Sequence, residues 1–138
     1  MKRMIPILLM MTLLLTGFTS PALKPVPESN TYRQSTMQEA VEMMEKEENY
    51  IILDVRTHEE FAAGHIPGAI VIPNETIGTE EIAQLPDKEQ LIMVYCRSGN
   101  RSKQASDKLV KLGYTNIVEF GGIIDWPGET VVGMEPIV

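Results

Sequence analysis

The sequence predicts an α/β fold with a mainly parallel sheet, on three observations. Short apolar runs alternate with segments of helical spacing along most of the chain. The runs Tyr50–Val55 and Leu91–Tyr95 are continuous rather than alternating, the pattern of strands covered on both faces. The chain has 138 residues, 43% of them hydrophobic and 22% charged, which suits one compact domain with a short appendage.

The appendage comes first. Lys2 and Arg3 precede an apolar stretch, Ile5–Leu15, broken only by Pro6 and Thr12, and small and polar residues follow. This is the layout of a secretory signal, assigned to residues 1–22. The stretch is short for a membrane span, which needs about 20 residues; retention as an uncleaved anchor is the alternative. Gly17-Phe18-Thr19 and Ser20-Pro21-Ala22 both fit small-x-small cleavage. Leu15-Thr16-Gly17 resembles the start of a lipoprotein signal, but Phe18 stands where that pattern requires cysteine. Residues 23–31 read as a proline-containing linker and 32–138 as the folded domain. The expected location is outside the cytoplasmic membrane, with membrane contact only through the signal if it is uncleaved.

Within the domain, Tyr32–Gln34 is expected to be a short edge strand. Ser35 and Thr36 are N-cap candidates, with Gln38 and Glu39 at capping-box spacing. Met37, Ala40, Val41 and Met44 recur at helical spacing to about Lys46. The Tyr50–Val55 strand ends in Asp54-Val55-Arg56. Thr57 or its successor caps a short helix over His58–Ala63, and Gly64-His65-Ile66-Pro67-Gly68 is a turn that His65 fixes by hydrogen bonds. Ala69–Ile72 is a strand stopped by Pro73, and Ile77–Gln84 is expected to be a helix ended by Leu85-Pro86. Strand Leu91–Tyr95 leads to a polar loop, then to a helix over Ser102–Leu112 with Gly113 past its end. Ile117–Phe120 is the last strand, followed by Gly121-Gly122 and Ile123–Trp126, with Trp126 as a core plug.

The formal charge is −7 and the pI about 4.8. Nucleic acid and acidic membrane surfaces are therefore excluded as partners. An anionic substrate is not, because salt screens exposed charges beyond roughly 8 Å and local arginines dominate a site.

Cys96 is the one cysteine of the chain, so no internal disulfide forms. It begins Cys96-Arg97-Ser98-Gly99-Asn100-Arg101-Ser102, at the carboxyl end of a buried strand, where ligands bind in such sheets. Backbone N–H groups, a helix N-terminus and two guanidinium groups meet there, and all favour a nucleophilic thiolate. Gly99 lets the backbone curl into an anion nest. Of Arg97 and Arg101, one is expected to bind an anionic donor. The other, assigned as Arg101, braces the loop against Asp54 or Glu60. Asp54 and Arg56 lie at a neighbouring strand end, and Asp54, Arg56 and Glu60 are read as supporting residues. No metal or other cofactor is expected.

Three segments resemble the rhodanese family: Leu53-Asp54-Val55-Arg56 leading to Glu60-Phe61-Ala62-Ala63-Gly64-His65-Ile66-Pro67-Gly68-Ala69; the Cys96–Ser102 segment; and Gly121-Gly122-Ile123-Ile124-Asp125-Trp126. They stand in the family's order and spacing, and the likeness runs from Tyr32 to the C-terminus. The chain resembles a single-domain rhodanese. The resemblance implies a five-stranded sheet with helices on both faces. It implies that Cys96 takes a sulfane sulfur from thiosulfate or a persulfide, holds it as a persulfide, and passes it to a thiophilic acceptor. It further implies that the amides of Arg97, Ser98, Gly99, Asn100 and Arg101 cradle that sulfur. Where tandem-type thiosulfate–cyanide enzymes carry lysine after the Cys-Arg pair, this chain has Ser98.

The expected partners are small sulfur-containing anions, low-molecular-weight thiols or a protein thiol. A persulfide on Cys96 has no second thiol in the chain to resolve it, so its outer sulfur must leave to an external acceptor. Two other readings compete. A phosphatase or arsenate reductase of the related cell-cycle type places arginine six positions after cysteine; here arginine is five positions on, and Ser102 occupies the sixth. A non-catalytic redox or binding module of the same fold often lacks the cysteine, which this chain keeps.

Overall fold

The computed structural model describes residues 31–134, and the expected signal and most of the linker lie outside them. Five strands form one sheet: β1 (Arg33–Gln34), β2 (Tyr50–Asp54), β3 (Ile70–Val71), β4 (Leu91–Cys96) and β5 (Ile117–Gly122). Their order is β1-β5-β4-β2-β3 and every pairing is parallel. The longest apolar runs thus occupy the centre, and the two-residue strands form the edges.

Helices cover both faces. On one side α1 (Met37–Lys46) and α2 (His58–Ala63) pack Ala40 and Phe61 against Ile52, Met93, Tyr95 and Phe120. On the other, α3 (Asn100–Lys111) packs Ala105 and Leu109 against Leu53, Ile92, Val94, Cys96 and Ile117. Alternate residues of β4 therefore serve opposite faces, as the two-residue period of a strand requires. Thr36 caps α1 and Thr57 caps α2, each in a complete capping box with Glu39 or Glu60.

Two expectations need correction. Residues 77–84 are not helical; a short 3₁₀ turn at Asn74–Thr76 precedes an irregular segment. A helix would set Ile77 and Ile82, five residues apart, about 140° from each other around its axis. As irregular chain, the segment instead buries Ile77 and Leu85 and packs Ile82 against the same cluster. The helix after Cys96 begins at Asn100, two residues before the expected Ser102. Gly99 at φ 110° turns the chain straight into it, so Asn100 and Arg101 form its first turn rather than loop.

Candidate active site

Cys96 is the last residue of β4 and is 1% exposed, with its side chain on the α3 face. Three residues, Arg97, Ser98 and Gly99, carry the chain from it to α3. The Gly99 N–H turns back and donates to Cys96 Sγ at 3.0 Å. Unlike α1 and α2, α3 has no side-chain cap at its start and no acidic residue in its first turn. Its first N–H groups thus lack both intrahelical and side-chain acceptors, and they open beside the sulfur with the positive end of the helix dipole.

Strand β5 shapes the floor. Val94 pairs with Glu119, but Cys96 pairs with Gly122, so β5 spends one extra residue against β4. This β-bulge falls at Gly121, whose φ of 95° suits glycine. A Cβ on Gly122 would lie 1.9 Å from Arg97 O and 2.5 Å from Ser98 Cα. The bare backbone at Gly122 is what lets the Arg97–Ser98 segment lie against the strand. Ile124 N–H then donates to Arg97 O at 3.3 Å, holding the loop from outside.

The two arginines of the loop lie in different surroundings. Arg97 is exposed at the rim with Ser98 and Asn100. Arg101 points to α2 and meets Glu60 with two parallel bonds, Nη1 to Oε1 at 2.8 Å and Nη2 to Oε2 at 3.0 Å. The Arg101 guanidinium, with further hydrogen bonds from Thr57, lowers the Glu60 carboxyl to about 2. Glu60 also closes the α2 capping box, so one carboxylate fixes the helix start and the cysteine loop together.

Asp54 and Arg56 are not beside Cys96. Both are buried on the opposite face, with Arg56 Nη2 2.7 Å from Asp54 Oδ2 and Arg56 Nε bonded to the same carboxylate. Arg56 Nη2 also donates to Gly64 O at 2.7 Å, and its guanidinium stands 5.7 Å from the Tyr95 ring centre. This pair ties the end of α2 to the sheet, and α2 in turn supplies Glu60. His65 is buried, stacks on Phe61 at 3.6 Å, and its Nδ1 bonds Phe61 O at 2.8 Å, which fixes the turn. Trp126 is half-buried against the α1–α2 core, its Nε1–H donating to Glu129 O.

Two polar residues of the site escaped the sequence reading. Ser102, fully buried, accepts the Cys96 thiol hydrogen at 3.4 Å and donates to Glu119 Oε2 at 2.5 Å. Glu119, 2% exposed, interrupts the apolar run of β5. The signal for it was available: a strand's two-residue period puts Glu119 on the face of Ile117, which is also the face of Cys96.

Residues 36–128 match the family model described as a rhodanese-like domain. The chain is 37% identical over 73 residues to thiosulfate sulfurtransferase PspE of Escherichia coli, covering 53% of this chain and 70% of that protein. It is 39% identical over 80 residues to a sulfurtransferase of Allochromatium vinosum, covering 57% and 73%. Among solved structures, a rhodanese with anions from E. coli superposes with TM-score 0.55 at 38% identity, over 61% of this chain and 99% of that one. The rhodanese-like domain of the Anabaena protein Alr3790 superposes with TM-score 0.66 at 27% identity, over 78% and 85%. With the same parallel sheet, the single cysteine at the end of β4 and a match over two thirds of its length, the chain belongs to the rhodanese-like domain family.

Proposed function

We propose that the protein is a sulfurtransferase whose Cys96 carries the sulfur. The observation that carries this reading is the Gly99 N–H aimed at Cys96 Sγ beneath the uncapped start of α3. In the first half-reaction the thiolate attacks the outer sulfur of thiosulfate or a persulfide. A bond forms between the two sulfurs, and the leaving group, sulfite or a thiolate, departs with the electron pair. The persulfide's terminal sulfur then carries the negative charge, and the amides of Arg97 to Arg101 hold it. In the second half-reaction an external nucleophile takes that sulfur and Cys96 regains its thiolate. The acceptor must be external because the chain has no second cysteine.

Arg97, exposed at the rim, draws in the anionic donor, while Arg101 is committed to Glu60 and braces the cradle. Asp54 and Arg56 support the site through α2. Substrates are small sulfur-containing anions and thiols, a protein thiol among them. The four residues between Cys96 and Arg101 make a loop one residue shorter than a phosphatase loop, which favours a sulfur over a phosphate. The basic start and apolar stretch before residue 23 support export from the cytoplasm, and the domain is assigned to residues 32–138. No helix among the described residues is long and apolar enough to cross a membrane.

Replacing the nucleophile tests the reading. Cys96→Ser is expected to remove thiosulfate-to-cyanide transfer while preserving the fold, because both half-reactions pass through the Cys96 sulfur. The wild type is expected to leave p-nitrophenyl phosphate unhydrolysed. Retained transfer in the variant, or phosphate-ester turnover faster than sulfur transfer, overturns it.

A further inference from the structure

Glu119 is a buried carboxylate with no ion-pair partner among the described residues. Its Oε2 accepts from Ser102 Oγ at 2.5 Å and Gly121 N at 3.0 Å, and its Oε1 accepts from Gln34 Nε2 at 3.3 Å. The Ser102 hydroxyl has one hydrogen and lies nearest Glu119, at the short distance of a charge-assisted bond. Its lone pair faces the Cys96 thiol hydrogen at 3.4 Å. A directed chain therefore runs from the Cys96 thiol through the Ser102 hydroxyl to the Glu119 carboxylate, and all three residues are at most 2% exposed.

We infer that Glu119 is the proton acceptor for Cys96, acting through Ser102. This rests on the sulfurtransferase reading above. As the thiol ionises, its proton passes to Ser102 Oγ and the former Ser102 proton passes to Glu119 Oε2. Ser102 then donates to the thiolate and the neutral Glu119 donates to Ser102, so both hydrogen bonds of the chain are kept with their direction reversed. The charge of the trio stays at one negative unit. Releasing the proton to solvent would instead put a second negative charge beside a buried carboxylate, which both desolvation and like-charge repulsion oppose.

The proton remains in the protein through the cycle. Thiolate attack on thiosulfate expels sulfite with its electron pair and leaves a persulfide anion next to neutral Glu119. When cyanide takes the outer sulfur as thiocyanate, the Cys96 sulfur recovers the electron pair and the proton returns along the same path. Nothing is consumed but the two substrates. The other ionisable groups here are Arg101 in the first turn of α3, which faces Cys96, and Tyr32 beside β1, which lies near Glu119 and also near Asp107 of α3. Arg101 favours the thiolate and is common to all the variants below.

The test is iodoacetamide alkylation of Cys96 against pH, with no sulfur donor present, for the wild type, Glu119→Gln, Ser102→Ala and the double variant. Thiosulfate-to-cyanide transfer is measured separately. If Glu119 takes the proton, the wild type keeps a pH-independent alkylation rate across neutral pH, because the transfer releases no proton to solvent, and Glu119→Gln loses that plateau and lowers kcat/KM by roughly 10²-fold. The double variant then behaves like either single one, because the two residues act as a unit. If Glu119 is only a neighbouring negative charge, its removal eases ionisation and moves the midpoint to lower pH. That shift, or an unchanged profile in folded Glu119→Gln, overturns the inference. An infrared difference spectrum of the wild type on persulfide loading needs no variant: a protonated carboxyl is expected to appear, and its absence overturns the inference. Failure of the sulfurtransferase reading is distinguishable, since it shows as wild-type protein that alkylates but transfers no sulfur.

Discussion

Arg101 and Glu60, 41 residues apart in sequence, meet through two parallel hydrogen bonds of 2.8 and 3.0 Å. The contact joins the first turn of α3, which carries the cysteine cradle, to the first turn of α2 on the other side of the sheet's carboxyl edge. Both side chains are about 30% exposed, so the pair's contribution to stability is screened, and about 1 kcal/mol is the most expected. Its value lies in position.

Glu60→Gln is accordingly expected to cost sulfur transfer more than stability. Urea unfolding should show a loss within about 1 kcal/mol, while kcat/KM falls several-fold because the cradle loses its brace. The pH dependence has a definite sign. The folded-state Glu60 lies at about 2, below its ordinary 4.5. The pair's stabilisation is therefore full above about 4.5 and is lost as pH falls toward 2. The stability gap between wild type and Glu60→Gln should stay constant from neutral pH to about 5 and close in the acid range below it, measured by unfolding at stepped pH.

Gly122→Ala is expected to damage the site from below. The new Cβ meets backbone, Arg97 O at 1.9 Å and Ser98 Cα at 2.5 Å, and no flexible side chain is there to yield. Overpacking of this kind costs about 1–3 kcal/mol. The loop must also move off the strand, taking the Gly99 N–H away from Cys96. Sulfur transfer should fall by more than the stability loss accounts for, which denaturant curves and steady-state rates measured together will resolve.

The buried pair of Asp54 and Arg56 gives a third expectation. Asp54→Asn leaves the Arg56 guanidinium buried without its counter-charge, and removing one partner of such a pair costs about 3–5 kcal/mol. Replacing both residues, as in Asp54→Asn with Arg56→Met, should recover part of that loss. A double-mutant cycle by urea unfolding checks it, and a double variant less stable than Asp54→Asn would count against the pairing.

The sequence was most legible where local chemistry decides. The capping-box spacing of Thr36 with Glu39 marked the start of α1, Thr57 was one of two cap positions read for α2, and continuous apolar runs marked the central strands β2 and β4. Residues 77–84 were misread because Ile77, Ile82 and Leu85 are apolar for reasons of tertiary burial and do not repeat along one helical face. The start of α3 was placed late because a glycine at positive φ can cap a helix without the side-chain signal that Ser or Thr provides. At the site, the place of Cys96 at the end of β4 and the contact of Arg101 with Glu60 were readable from the loop itself. Asp54 was offered as a brace for the loop, yet its side chain faces the other side of the sheet with Arg56. The Gly122 contact and the approach of Glu119 to Ser102 join segments about 20 residues apart; the β5 bulge sets the register of Gly122 against Cys96, while Glu119, before the bulge, follows the two-residue period of the strand.

The central claim is that Cys96 carries sulfur covalently, and intact-mass spectrometry tests it most directly. The purified protein is incubated with thiosulfate, freed of excess donor and weighed, then weighed again after cyanide. The account predicts a gain of one sulfur atom, mapped to Cys96 by peptide analysis, lost on adding cyanide with one equivalent of thiocyanate formed, and absent from Cys96→Ser. A wild-type protein that stays unmodified with thiosulfate and with a persulfide donor alike would contradict it.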